Sequence, residues 1–105
     1  MSVVSVYCVF ANAEEAERIG RTVVEEGLAA CINMLGSCRS IYRWRGAVER
    51  ADETLMIIKT RRGRIDAVIA EIRRRHPYEE PGIAVIPLAG GSAGYLDWMR
   101  RESSD

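Results

Sequence analysis

Apolar residues fill most of positions 2–10, "SVVSVYCVF", in a short, β-branched and nearly continuous run. That pattern predicts a buried strand. Asn12 then offers a helix N-cap, and Glu15, three residues on, completes a capping-box-like signature. Ala16, Ile19, Gly20 and Val23 fall at i, i+3, i+4 and i+7, one face of a helix that Gly27 is placed to stop. From Leu28 to about Thr60 the pattern turns to β, with a turn signal at Arg45-Gly46 inside "YRWRGAVE". Each arm of this hairpin runs to roughly 13 residues, where an ordinary strand has about 5–6. At ~3.3 Å per residue an arm reaches about 40 Å, more than two helices of a small domain can cover. A long exposed edge invites pairing, so the overhang is expected to meet another chain. Ile65, Val68, Ile69 and Ile72 mark a second amphipathic helix that ends in "RRRHP". Residues 82–88, "GIAVIPL", read as a strand whose Pro87 suits an edge or a strand end. Gly90-Gly91 is a loop, and "SAGYLDWMRRE" is a short terminal helix.

The order β-α-β-β-α-β plus a helix predicts an α+β fold. It is the ferredoxin-like arrangement, a four-stranded antiparallel sheet with helices on one face. Residues 1–105 are read as a single domain, with no linker or low-complexity segment.

If Arg45-Gly46 is a two-residue turn, Trp44 faces Ala47, Tyr42 faces Glu49 and Cys38 faces Glu53. Period-2 alternation then puts Tyr42, Trp44, Glu49 and Glu53 on one face of the ribbon. Lys59 joins them only if Gly36 introduces no bulge, which glycine inside a strand often does. Arg43 and Arg45 are expected to point the other way. The shared face either packs on a neighbouring subunit, with its acids solvated or paired to arginines, or lines a cleft between subunits, where pockets preferentially occur.

Composition narrows the partners. Fifteen basic and fifteen acidic residues cancel, so no net field draws the chain to nucleic acid or anionic lipid. "RRGR" and "RRR" flank the second helix and are read as a solvated face. RNA-recognition modules share this topology but stack bases on central-strand aromatics, and "TLMIIKT" has none. Three cysteines (Cys8, Cys31, Cys38) with no CxxC pair read as reduced thiols, which places the protein in the cytoplasm. The apolar run 3–10 is short and lacks a basic lead, so neither a signal peptide nor a membrane span is expected.

"HPYEEPGIAVIP", residues 76–87, holds the only histidine and all three prolines. Pro77 terminates the second helix and leaves His76 at its C-terminal end, where the helix dipole favours a cation. His76 is either a dipole-compensating surface residue or a ligand for a transition metal. Cys8 in the first strand is either a small buried hydrophobe or a second ligand, a pair that would suit copper better than magnesium or calcium. A hydrolytic role for Glu53 with His76 needs a nucleophile or metal-bound water that the sequence does not supply, so no enzyme is expected.

"EEGLAACIN" (25–33), "SIYRWRG" (40–46), "ADETLMIIKT" (51–60), "HPYEEP" (76–81) followed by "IAVIP", and "YLDW" (95–98) together resemble the CutA family of divalent-cation tolerance proteins. The resemblance implies a ferredoxin-like homotrimer whose long hairpins pair across subunit boundaries. It further implies tolerance of copper and other heavy metals, with copper ligands at positions matching Cys8 and His76. The histidine that would precede His76 is replaced by Arg75, and a guanidinium is no ligand, so copper binding is expected to be weaker here. Gly82 is a second departure, standing where relatives usually carry an acid. An inter-subunit cleft is implied around Tyr42, Trp44, Glu53, Lys59, His76, Tyr78 and Glu79. The family in turn resembles the PII signalling proteins. That gives a competing expectation, a trimeric sensor or scaffold holding a small anionic molecule through Lys59 and neighbouring donors.

Overall fold

A computed structural model describes residues 2–103. Strand β1 (Val3–Phe10) leads through Asn12 into helix α1 (Ala13–Glu25), and the long strands β2 (Cys31–Trp44) and β3 (Ala47–Arg61) follow. A short 3-10 turn precedes helix α2 (Ile65–Arg75), then come strand β4 (Ile83–Pro87) and helix α3 (Ala93–Glu102). The strands form one antiparallel sheet in the order β2-β3-β1-β4. This is the ferredoxin-like α+β arrangement, and it puts Pro87 on an edge strand, where its missing N–H breaks no ladder.

The helices form where the sequence places them. Asn12 Oδ1 accepts from the Glu15 N–H at 2.9 Å, the N-cap bond that satisfies one orphan donor of α1. The Glu15 side chain does not complete the capping box. Its Oε1 is buried without a hydrogen-bond partner. Ala16, Ile19, Gly20 and Val23 are the buried stripe of α1. At Gly20, α1 packs close against the sheet: a Cβ there would stand 2.8 Å from Met56 Sδ. On α2 the buried residues are Val68, Ile72 and, unforeseen, Glu71.

Both helices cover the face of the sheet that carries Val4, Val6, Cys8, Phe10, Met56 and Ile58. Over the opposite face, α3 packs Met99 against Val3 and Ala30 at one end, with Leu96 and Trp98 beside them. Strands β2 and β3, of 14 and 15 residues, overrun these layers, and the molecule is 44 Å along its longest axis. Arg45 and Gly46 turn the hairpin with φ of 50° and 84°, both left-handed, as a type I′ turn requires. The register opposes Trp44 to Ala47, Tyr42 to Glu49 and Cys38 to Glu53.

Gly36 does introduce the bulge. Pairing passes from Met34–Met56 to Gly36–Leu55, so Leu35 is the extra residue, and Gly36 takes a φ of 96°. Because the insertion lies on β2, alternation along β3 is unbroken and Lys59 keeps the face of Glu53. On β2 the bulge reverses the alternation. Ile32 and Met34 turn to the helices, while Cys31 lies opposite Lys59 on the other face.

Candidate functional site

Pro77 cannot continue α2, and His76 before it takes the extended backbone that a following proline favours, φ −79° and ψ 132°. The chain then turns back across β1. His76 Nε2 lies 2.8 Å from the Val9 carbonyl, and Nδ1 accepts from the Tyr78 N–H at 3.2 Å. One nitrogen accepting from an amide puts the ring proton on the other, so Nε2–H donates to Val9. The imidazole stacks on Phe10 with ring centres 4.9 Å apart and meets the Tyr78 ring at 4.6 Å. His76 is therefore buried, not a surface residue compensating the helix dipole. Held this way, Tyr78 donates its hydroxyl to Glu53 Oε2 at 2.9 Å.

Between this loop and the hairpin lies a cavity of about 760 Å³. Tyr42, Trp44 and Tyr78 supply its aromatic walls, and Glu53 and Glu79 its carboxyls. Glu53 is only 7% exposed. Among the described residues its other oxygen, Oε1, has no hydrogen-bond partner. Burial first, then the hydrogen bond to Glu53 and its charge, make Tyr78 a weaker acid than a free tyrosine. At the mouth, Arg45 Nη2 donates to Glu79 Oε1 at 2.6 Å, and the guanidinium lies 5.3 Å from the centre of the Trp44 ring. Arg45 was expected to point away from this face. Its left-handed backbone at the turn instead lets it fold back over Trp44.

Tyr42, Trp44, Glu53, Tyr78 and Glu79 are thus brought together, as expected of a cleft. Lys59 shares the face of Glu53 but stands six residues along β3, about 20 Å away, and donates to the Tyr95 hydroxyl at 2.9 Å. Cys8 lies in the core on the helix-covered face. Burial, helped by the nearby charge of Glu53, pushes its thiol up to about 12, and the thiolate is the form that binds metals. His76 has both ring nitrogens occupied by backbone. Among the described residues, no group of three or more His, Cys, Asp and Glu side chains is placed to hold a metal ion. The carboxyls lining a ligand-sized space are those of Glu53, Glu79 and Glu80, of which Glu79 is paired with Arg45 and Glu80 with Arg73.

The sequence reading missed Tyr7, Val9 and Arg39 in the lining. Alternation in β1 carried the signal for the first two, since odd positions there must face away from the helices. Gly82 was seen only as a departure. Here it lets the loop close on β1: the Val9 N–H donates to its carbonyl at 3.3 Å, and a Cβ would sit 3.2 Å from the Val9 side chain.

The CutA1 divalent ion tolerance protein family matches the chain over residues 4–102. The chain belongs to this family. The divalent-cation tolerance protein CutA of Thermus thermophilus is 39% identical over 92 residues, covering 88% of this chain and 89% of that one. A rice relative, described as Protein CutA 1, chloroplastic, is 34% identical over 95% of this chain. The chain spans about half the length of the curated plant relatives it matches. Among solved structures, rice CutA1 superposes with a TM-score of 0.95 at 32% identity, covering 100% of this chain and 96% of that one. The periplasmic divalent cation tolerance protein CutA of Archaeoglobus fulgidus gives 0.93 at 35% identity, covering 97% of this chain and 99% of that one. The CutA fold is thus shared along nearly the whole chain. Among the described residues, no helix is long and apolar enough to cross a membrane.

Proposed function

We propose that this chain is a non-catalytic divalent-cation tolerance protein, working as a homotrimer and binding copper or another divalent cation in a cleft between subunits. The observation that carries the cation reading is Glu53, a carboxyl only 7% exposed that lines the cavity and is bonded to the protein through Oε2 by Tyr78, which leaves Oε1 to a ligand. Burying such a group is costly unless it is paired or coordinates a metal. Glu53, Glu79 and Glu80 make too few ligands for a complete shell, which fits a site finished by a second subunit. Support for assembly comes from the hairpin overhang, where Ile41 and Val48 are 70% and 65% exposed on a ribbon with a free edge. Ligation through His76 and Cys8, which the family resemblance implies, would have to break backbone bonds of the ring and ionise a buried thiol. The anion-sensor reading has less behind it, because Lys59 is engaged by Tyr95 away from the cavity.

The free thiols of Cys8, Cys31 and Cys38 favour a reducing compartment such as the cytoplasm. The compartments named for relatives, chloroplast and periplasm, keep that placement part of the proposal.

Calorimetric titration of Cu(II), with reductant removed, tests the reading on wild type, Glu53→Gln, His76→Ala and Cys8→Ser. Saturable binding that Glu53→Gln abolishes supports it. Loss confined to His76→Ala or Cys8→Ser moves the ligands to the helix-covered face, and no binding at all overturns the cation role. Light scattering that returned a monomer would remove the assembly.

A further inference from the structure

We propose that the cleft also takes a small organic cation bearing N–H donors, an alkylammonium or alkylguanidinium compound, with Glu53 as acceptor and the rings of Tyr42 and Tyr78 as walls. This rests on the same cleft as the divalent-cation reading but on different features of it. At about 760 Å³ the cavity falls within the range of small-molecule pockets and is far larger than a bare ion needs. Its walls are aromatic, and a ring face attracts a cation placed within about 6 Å of its centre.

The molecule already shows the recognition at the rim. The guanidinium of Arg45 lies over Trp44 and its Nη2 binds the Glu79 carboxyl. An aromatic face beside a carboxylate there holds an organic cation that the chain itself supplies. Further in, Glu53 offers the same carboxyl chemistry with Oε1 unpartnered, and Tyr78 and Tyr42 stand beside it. A donor reaching Oε1 from the cavity would make a charge-assisted hydrogen bond to the carboxyl. The charge balance points the same way. The charged lining residues are Arg39, Glu53, Glu79 and Glu80, and Arg39 is spent on Asp52 at 3.3 Å. An anion would meet Glu53 with no free cation beside it.

The test is calorimetry on the full chain with butylammonium, ethylguanidinium and tetramethylammonium, run beside the Cu(II) titration. Butylammonium and ethylguanidinium are expected to bind saturably, and tetramethylammonium, which has no N–H, more weakly. Glu53→Gln should weaken both binders about tenfold or more. Tyr42→Leu should weaken them roughly three- to fivefold. Glu53→Asp, which keeps the carboxyl, should retain measurable affinity and guards against a folding defect in Glu53→Gln. No binding of either N–H cation overturns the inference, as does equal affinity in Glu53→Gln. A neighbouring subunit's own lysine or arginine filling the cleft would give no binding, together with a smaller assembly for Glu53→Gln by light scattering, and overturns it as well. Amine binding without copper binding leaves this inference standing while the tolerance reading fails, and copper without amine does the reverse.

Discussion

His76 and Val9 stand 67 residues apart in sequence and are joined by one bond of 2.8 Å, from the imidazole Nε2–H to a backbone carbonyl. That bond ties the exit of α2 to the end of β1. The other ring nitrogen holds the Tyr78 amide, and Tyr78 in turn holds Glu53. His76 is thus a positioning residue for the wall of the cleft, two hydrogen bonds removed from the carboxyl that faces it.

His76→Ala should therefore destabilise the metal-free protein by about 2–4 kcal/mol, combining a lost buried ring with two unmet backbone groups. Urea unfolding in a chelator checks it. A loss below about 0.5 kcal/mol, the size of an ordinary surface substitution, would show that the ring carries no structural role.

Tyr78→Phe keeps the ring and removes the donor to Glu53. A cost of about 1–2 kcal/mol is expected near neutral pH from an unmet buried acceptor. The alkaline limb should change too. Tyr78 is a weaker acid in the folded state than in the unfolded chain, so its stabilising contribution is complete below about pH 10 and is lost as pH rises above that. Unfolding free energies measured from neutral pH to pH 11 should fall less steeply for Tyr78→Phe than for wild type.

The two bonds of His76 mark where the sequence stopped being informative. Helix faces, the Arg45-Gly46 register and the overhang were legible because each follows from local periodicity or from one turn. Tyr42, Trp44 and Glu53 were legible for the same reason, as residues of one ribbon face, while Tyr78 and Glu79 came only from the family resemblance. What could not be read was where His76 would point: Pro77 fixes its backbone, but Val9 and Phe10 come from the other end of the chain. Lys59 shows the same limit. Its face was expected only if Gly36 introduced no bulge, whereas the bulge falls on β2 and leaves β3 alternation intact, and only the three-dimensional placement of α3 gave it Tyr95 as a partner. Glu71 was not foreseen, because the arginines that neutralise it, Arg74 and Arg75, were read as facing water.

Cys8 gives a second alkaline signature. Its thiol is raised from 9.0 to about 12 on folding, so between those values the unfolded chain loses a proton that the native state keeps. Stability should be unaffected by this group below pH 9 and fall above it, by up to ~1.4 kcal/mol per pH unit. Cys8→Ala should flatten the fall between pH 9 and 11. The wild-type thiol should also resist alkylation at pH 8 until the protein is unfolded, leaving Cys31 and Cys38 to react. Rapid labelling of native Cys8 would contradict its burial.

Arg75 stands where the family resemblance implies a second histidine, and the structure gives it other work. Its Nε donates to Glu71, Arg74 adds a second donor, and Arg75 Nη2 lies 3.9 Å from Glu26 at the C-cap of α1. The bonds from Arg75 and then Arg74 hold the Glu71 carboxyl below its usual range. That contribution is present above the ordinary carboxyl value, about 4.3, and is lost as pH falls through the lower folded one. Arg75→His shortens the side chain and removes the guanidinium from Glu71. Stability at pH 7 should drop by about 1 kcal/mol, discounted for partial exposure, and the acid limb should become shallower. Copper affinity should not tighten, because a new histidine at 75 would neighbour a ring with no free nitrogen. Calorimetry on Arg75→His decides between the two accounts of this loop. Tightened Cu(II) binding would mean that His76 yields its bond to Val9 when a metal is offered, and unchanged binding would leave the imidazole as the strut that holds Tyr78 against Glu53.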